Sequence, residues 1–336
     1  MDFSYPEQFH KSREELAAFV NCSPDDLTLI PNVTHGVTTV LRSLMLPSPG
    51  EILLTNQRYR AFERLWQESA LNRVIPVETV INFPVSSNQE VLENIWSNVN
   101  RNTSAIFISH IASPTGLIFP VAELCRKARE QGIITIIDGA HAPGLIPVDL
   151  ESIDPDFYIG NCHKWMSAPK GVGFLYVREE LQAYLKPLVV SHGQEFPGAV
   201  GSPLVDDTLW TGVKDSSAML SLPALFKFYS ENDWSTQQER AHQLAVGCHQ
   251  SLISMFGNPP LFQPESNLYR QMFAYPLPTE DLAKVKNFLF EKHKIVIGGF
   301  PYEDQAWIRP SFAAYNTEED RDHLLQALAD YFSLTH

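Results

Sequence analysis

The sequence predicts an α/β protein in two lobes: a large domain whose mostly parallel sheet is flanked by helices, and a small α+β C-terminal domain. Three observations carry this. Short β-rich runs alternate with longer helical patterns through the first two thirds of the chain, as strands joined by crossover helices do. The run Ile133-Ile134-Thr135-Ile136-Ile137 is almost continuously apolar, which suits a strand buried on both faces of a parallel sheet. After about residue 187 the texture changes, and the last eighty residues read strand, helix, strand, helix.

In chain order the expected strands are Glu51–Thr55, Val74–Val77, Ala105–Ser109, Ile133–Ile137, Phe157–Gly160 and Gly173–Val177. Helical patterns occupy Gly36–Leu46, Ala61–Leu71 and Val121–Gln131, the last ending at Gly132, a residue suited to a helix C-cap. Ser191–Pro203 is rich in Gly and Pro and reads as a loop, followed by helical patterns at Ser216–Tyr229 and Thr236–Phe256. The small domain then reads Tyr269–Tyr275 as strand, Thr279–His293 as helix, Ala306–Pro310 as strand and Glu318–Phe332 as helix, with Gly298–Tyr302 as a loop. This divides the chain into a large domain, 1–231, and a small one, 232–336.

Composition narrows the function. The 336 residues carry 25 Lys+Arg against 39 Asp+Glu, a net charge of −14. Such a surface argues against a nucleic-acid or anionic-membrane partner, though one local basic pocket for an anion remains compatible. Apolar residues at 44% and charged residues at 19% describe a globular chain with a sizeable core and exclude disorder or a collagen-like fibre. Cys22, Cys125, Cys162 and Cys248 are far apart with no Cys-x-x-Cys spacing. Neither a zinc site nor a disulfide framework is expected, and reduced thiols point to a cytoplasmic enzyme. No stretch reaches the ~18 consecutive apolar residues of a membrane span, and Met1 to Leu16 lacks an apolar signal core.

In an open α/β sheet, ligands bind at the carboxyl ends of the strands. Four segments place reactive side chains there. Asp138-Gly139-Ala140-His141 follows Ile133–Ile137, Asn161-Cys162-His163-Lys164-Trp165 follows Phe157–Gly160, and Ser109 to Gly116 follows Ala105–Ile108. Asn32-Val33-Thr34-His35-Gly36 precedes an amphipathic helix whose first amides could cradle an anion. Taken alone, Asp138 would be a turn residue, His141 and His163 ordinary hydrogen-bonded histidines, and Lys164 a solvated charge. Yet Lys164 lies in a run too apolar for a typical exposed lysine, and a lysine in apolar surroundings becomes a competent amine nucleophile. Together the segments meet the needs of pyridoxal phosphate. Lys164 would form the Schiff base, Asp138 would keep the pyridine nitrogen protonated, Thr34, His35 and His163 would hold the phosphate, and Tyr59 would stack on the ring.

On these motifs the sequence resembles the class V aminotransferase family of pyridoxal-phosphate enzymes of fold type I, which includes cysteine desulfurases, selenocysteine lyases and isopenicillin N epimerases. The match comprises Asn32-x-Thr34-x-Gly36, Ser113/Thr115/Gly116, Asp138-Gly-Ala-His141, His163-Lys164, Ile308-Arg309-Pro310-Ser311 and Tyr315-Asn316. The epimerase-like branch, with a tyrosine over the ring, fits best. The resemblance implies that Lys164 also moves protons at Cα, that His141 and Ser113 lie near the cofactor's phenolic oxygen, and that Asn161 joins the phosphate site. It implies that Arg309 clamps the substrate carboxylate as a bidentate fork. Trp210-Thr211-Gly212 would reach the phosphate of a neighbouring subunit, which implies a homodimer. The expected function is chemistry at Cα/Cβ of an amino acid, C–S lyase or epimerase in type.

Two departures qualify this. No cysteine follows Cys248, which disfavours a desulfurase that relays sulfur through a mobile-loop cysteine. Only 31 residues precede Asn32, fewer than the family pattern; this predicts a pocket that is unusually open or completed by a partner subunit, or a truncated product with altered activity. Three other readings stay open at this point: an aminotransferase of the same family, a metal-dependent hydrolase using Asp138, His141 and His163, and a non-catalytic binding protein that keeps the fold.

Overall fold

The computed structural model describes residues 5–44, 46–47, 50–67, 74–195, 199–200, 202–302 and 305–333. The expected helix residues 68–71 and part of the expected 191–203 loop lie outside these. Contacts group the chain into two units. The first comprises Met1–Ile81, Leu92–Ile111 and Phe119–Asn232; the second comprises Asn82–Val91, Ala112–Ile118 and Asp233–His336. A single cut at 231/232 does not capture the two short segments that group with the C-terminal residues.

The first unit is built on seven strands: β1 (Leu27–Ile30), β2 (Gly50–Thr55), β3 (Val74–Thr79), β4 (Thr103–Ser109), β5 (Ile134–Gly139), β6 (Phe157–Asn161) and β7 (Gly173–Val177), in the order β1-β7-β6-β5-β4-β2-β3. Neighbours from β6 through β3 run parallel, and β7 runs antiparallel to both β6 and β1. The sheet is therefore mostly parallel, as the alternating pattern implies. Every residue of β6 and β7 is buried, which is why these strands read as continuous apolar runs rather than alternating ones.

One core on the sheet joins Ile52, Phe107, Ile136, Ile159 and Leu175 to Val33, Val37 and Val40 of the helix Val33–Ser43. Gly36 permits this packing: a Cβ there would stand 2.6 Å from side-chain carbons of both Ile30 and Ile159. The absence of a side chain thus seats the start of this helix against β6.

The second unit holds β8 (Tyr275–Pro276), β9 (Gly298–Tyr302) and β10 (Gln305–Arg309) in an antiparallel sheet ordered β8-β10-β9. Helices Trp234–Phe256, Leu282–His293 and Glu318–Ser333 accompany it. Its core is aromatic: His249 stacks on Phe273 with centroids 4.4 Å apart, and Phe262 on Tyr269 at 5.0 Å.

The differences from expectation are local. β1 was not expected; its four residues are wedged between the turn Pro24–Asp26 and the cap Asn32, too short for an alternation to show. Gly298–Tyr302, expected as a loop, is β9, with Gly299 opposite Ile308. Its glycines conceal a strand from propensity reasoning. Of the expected strand Tyr269–Tyr275, only Tyr275 enters β8, and Met272 makes a single bridge to Ser311. The expected helix Ser216–Tyr229 is broken into Ser217–Leu220 and Leu222–Glu231, because Pro223 has no N–H to continue the first segment.

Candidate active site

Parallel strands bring their carboxyl ends to one edge of the first unit's sheet. Ser109 pairs in register with Asp138, Asp138 with Ile159, and Gly139 with Gly160, so β4, β5 and β6 end side by side. Asp138 is 3% exposed. Its Oδ1 accepts the Ala140 N–H at 3.0 Å and its Oδ2 the Ser109 hydroxyl at 3.4 Å. Both donors are neutral. Burial pushes the carboxyl pKa up, against the weaker opposing pull of the Ala140 bond. A carboxylate in such a place calls for a cationic ligand atom.

After β5 the chain turns back at Gly144, whose φ of +82° puts it in the left-handed region. A Cβ there would stand 2.5 Å from the Met166 N and 2.6 Å from the Trp165 carbonyl carbon. This close approach lays the 139–144 turn against the loop that follows β6. That loop is closed by Ala168 N–H donating to Cys162 O and Ser167 N–H to Lys164 O, and the Tyr229 hydroxyl donates to Met166 O. Its outcome is a three-residue cluster. His141 Nε2 lies 3.2 Å from Lys164 Nζ, and the Trp165 indole N–H donates to His141 Nδ1 at 3.1 Å. Cys162 and Met166 are buried but Lys164 itself is exposed. The expectation that apolar neighbours enclose the lysine is therefore corrected: they anchor the loop, and the lysine projects from it beside His141.

The helix Val33–Ser43 starts at Asn32, whose side chain accepts the His35 N–H at 3.0 Å. Asn161, at the end of β6, accepts the Val33 N–H at 3.0 Å through its carboxamide oxygen. Asn161 thus ties the helix start to the sheet, a different task for that oxygen from the direct phosphate contact expected. Thr34, between the two occupied amides, is exposed. His35 Nδ1 is buried and has no hydrogen-bond partner among the described residues. Burial first, then the Lys214 charge, lowers the His35 pKa. Lys214 donates to Leu209 O at 2.8 Å and to the Thr211 hydroxyl at 3.1 Å, so Thr211 and His35 share a cationic neighbour. His163 Nδ1 lies 2.9 Å from Val172 O; because a carbonyl only accepts, this nitrogen carries the proton. Tyr59 stands beyond the end of β2, 47% exposed, edge-on to Phe62 at 5.7 Å.

Ser113 and Arg309 fall in the second unit. Arg309 Nη1 donates to the Ser113 carbonyl, so Ser113 appears here as a holder of the arginine. Arg309 Nε is buried without a partner, and among the described residues no carboxylate lies within ion-pair distance of the guanidinium. Burial lowers its pKa. Opposite it in the β9–β10 ladder stands Gly298, where a Cβ would come 3.2 Å from both Nε and Nη2. The missing side chain lets the half-buried guanidinium lie close against the β9 backbone.

The sequence profile of the Aminotransferase class-V family matches residues 3–324. The chain belongs to that family. This class-V chain is 34% identical over 344 residues to isopenicillin N epimerase from Streptomyces clavuligerus, covering 98% of this chain and 86% of the relative. It is 28% identical over 348 residues to a probable chloroplastic L-cysteine desulfhydrase from Arabidopsis thaliana, covering 94% and 73%. Its fold is shared with a variant of C-DES that has glycine covalently linked to the PLP cofactor: TM-score 0.82 at 20% identity, covering 97% of this chain and 86% of that one. Class-V membership makes the protein an enzyme and supports the chemistry at Cα/Cβ of an amino acid expected from the sequence.

Three residues beside the candidate site escape sequence reasoning. Ser109 stands in a segment read as reactive, but its bond to Asp138 depends on the β4–β5 register. Lys214 lies three residues past Thr211, and nothing in the sequence brings it to His35. Trp165 is adjacent to the lysine, and its signal was available: an indole in a reactive loop has an N–H that needs an acceptor.

Proposed function

We propose that this protein is a pyridoxal 5′-phosphate-dependent enzyme that acts at Cα/Cβ of an amino acid, with C–S bond cleavage or epimerisation as the outcome. The observation that carries the reading is Lys164 Nζ lying 3.2 Å from His141 Nε2, in the unit where Asp138 is buried at the end of β5 with only neutral donors. The chain's residues fit the group. Asp138 offers a buried negative charge for a ring nitrogen, His35 an unpartnered buried nitrogen, and Thr34 an exposed helix N-terminus for a phosphate. When bound, the cofactor supplies an aldehyde for an amine and a ring that accepts electrons from a bond broken at Cα.

Around it Lys164 would hold that aldehyde and move the Cα proton, Asp138 would keep the ring nitrogen protonated, and Tyr59 would lie over the ring. His141 and Ser113 are assigned to the phenolic oxygen, and Asn161 to the phosphate site through the helix it holds. Arg309 would take the substrate carboxylate. A homodimer, with Thr211 offered to the neighbouring subunit's phosphate, belongs to the same reading, as does a cytoplasmic setting, which the four free cysteines suit. A sulfur relay through a thiolate is disfavoured. Cys125, Cys162 and Cys248 are buried, and burial pushes the half-buried Cys22 up to about 12. The hydrolase reading lacks a donor set: among the described residues no three His, Cys, Asp or Glu side chains are placed to hold a metal ion.

Two tests decide the matter. Protein soaked in pyridoxal 5′-phosphate and treated with borohydride should carry the pyridoxyl group on the Lys164 peptide; a protein that acquires no visible absorbance band refutes the reading. Incubation of the coloured protein with a panel of amino acids should yield pyruvate and sulfide, or the inverted enantiomer. Keto acid without sulfide would move the assignment to aminotransfer.

Two further results are expected. Arg309→Lys should raise KM for the amino acid at least ~10-fold, because an ammonium cannot reproduce a bidentate fork, with cofactor affinity unchanged; an unaltered KM would remove the clamp. His163 bears on cofactor affinity. With Nδ1–H committed to Val172 O, its Nε2 can donate to a phosphate oxygen only after the ring gains a second proton. Burial, joined by the Lys170 charge, lowers that pKa in the free protein, against the Val172 bond. Binding should then take up a proton, and affinity should fall as pH rises through the bound-state value. A slope of up to about tenfold per pH unit is expected, read by titration calorimetry in two buffers of different ionisation heat. No proton uptake would exclude His163 from the phosphate.

A further inference from the structure

The His141 ring joins two neighbours whose proton demands are fixed by chemistry. The indole of Trp165 is a donor only, so the Nδ1 it addresses at 3.1 Å must present a lone pair. A neutral imidazole has one N–H, which is thereby placed on Nε2, facing Lys164 Nζ at 3.2 Å. An ammonium has no lone pair with which to accept that proton; a neutral amine has one. The arrangement is self-consistent only with His141 neutral and Lys164 as its free base. Turning the imidazole over would set carbon against the indole N–H, so orientation and tautomer are fixed together.

We propose that Trp165 is a positioning residue: its indole N–H fixes the His141 tautomer, and His141 Nε2–H in turn holds Lys164 as a neutral, nucleophilic amine. The loop thus achieves by hydrogen bonding what burial would do for an enclosed lysine, and Lys164 is exposed. In the step this prepares, the amine lone pair forms the C–N bond to an aldehyde carbon, and the two amine protons leave with the carbonyl oxygen as water. The proposal deepens the assignment of Lys164 as the cofactor-bearing amine, and its test is built to stand apart from that assignment.

The first measurement needs no variant and no cofactor. In cofactor-free protein labelled with [15N]histidine, with His141→Gln used to identify its resonances, one-bond N–H coupling should appear at Nε2 and not at Nδ1. A proton on Nδ1 overturns the proposal. The second uses Trp165→Phe, which keeps an aromatic ring and removes the donor. The proton should then be shared between both ring nitrogens; an unchanged tautomer overturns the proposal.

The third is reductive methylation of Lys164 with formaldehyde and cyanoborohydride, followed on its peptide by mass spectrometry. Near neutral pH an ordinary lysine is free base in roughly one molecule per thousand. Methylation in Trp165→Phe should therefore be slower by between ~10-fold and ~1,000-fold, the gap closing as pH approaches the ordinary lysine range. A deficit independent of pH would mark a packing defect and overturn the proposal. Fast methylation of the native protein without capture of pyridoxal phosphate would refute the cofactor assignment and leave this one standing.

Discussion

Lys164→Ala should abolish covalent capture of pyridoxal phosphate and lower turnover by about 10⁴-fold or more, since it removes both a covalent partner and the group that moves the Cα proton. The effect should be chemical rather than structural. Lys164 is exposed, and its loop is closed by backbone bonds such as Ala168 N–H to Cys162 O that do not involve its side chain. Stability should therefore change by no more than about 0.5 kcal/mol. Borohydride treatment of the variant should leave no pyridoxyl group on any peptide. A stable adduct on Lys170 or Lys214 would relocate the site; a variant with native turnover would end the covalent role altogether. Added primary amines should partly restore the lost proton transfer, because the space vacated beside His141 Nε2 accepts a small base.

The same loop shows what was legible in the sequence. Burial on both faces makes β4 to β6 nearly uniform in hydrophobicity, and their carboxyl ends are then fixed by the parallel order. Asp138, Asn161 and Lys164 are thus legible as strand-end residues in the sequence alone. β1 and β9 were not legible, because four residues between two caps and a strand of Gly298-Gly299-Phe300-Pro301-Tyr302 carry too little pattern. Their strand character comes from pairing: β1 against β7, β9 against β10.

At the site the residue types were legible and the bonds were not. Hydropathy around Lys164 suggested an enclosed amine, yet the apolar residues there, Cys162 and Met166, point into the unit and the lysine points away. Asn161 sits where a phosphate ligand was expected but spends its oxygen on the Val33 N–H. Arg309 was legible as a cation at a strand end; that it faces a glycine across the ladder, with no carboxylate among the described residues within ion-pair distance, required the β9–β10 register. Side-chain roles that depend on two segments meeting are set by tertiary packing, which one sequence does not display.

Asp138→Asn should separate stability from function in opposite directions. The carboxylate is buried and its pKa is raised, first by desolvation. A carboxyl whose folded value exceeds its unfolded one binds its proton more tightly in the folded state, so it detracts from stability once pH rises past the unfolded value and increasingly up to the folded one. Asparagine keeps the shape without that burden: its oxygen can accept from Ala140 N–H, and its amide N–H can donate to the Ser109 hydroxyl oxygen. The cofactor-free variant should be more stable than the native protein near neutral pH by roughly 1–2 kcal/mol, a typical gain at a site whose native residue serves function. The difference should vanish in acid, where both side chains are neutral. Turnover should fall by about 10²–10⁴-fold, since an amide cannot keep a ring nitrogen protonated, while Lys164 still captures the cofactor. Thermal melts across pH, paired with kcat, would show both effects. Native turnover in Asp138→Asn would remove it from the ring nitrogen, and a melt that drops at neutral pH would show that the carboxylate already has a cationic partner inside the fold.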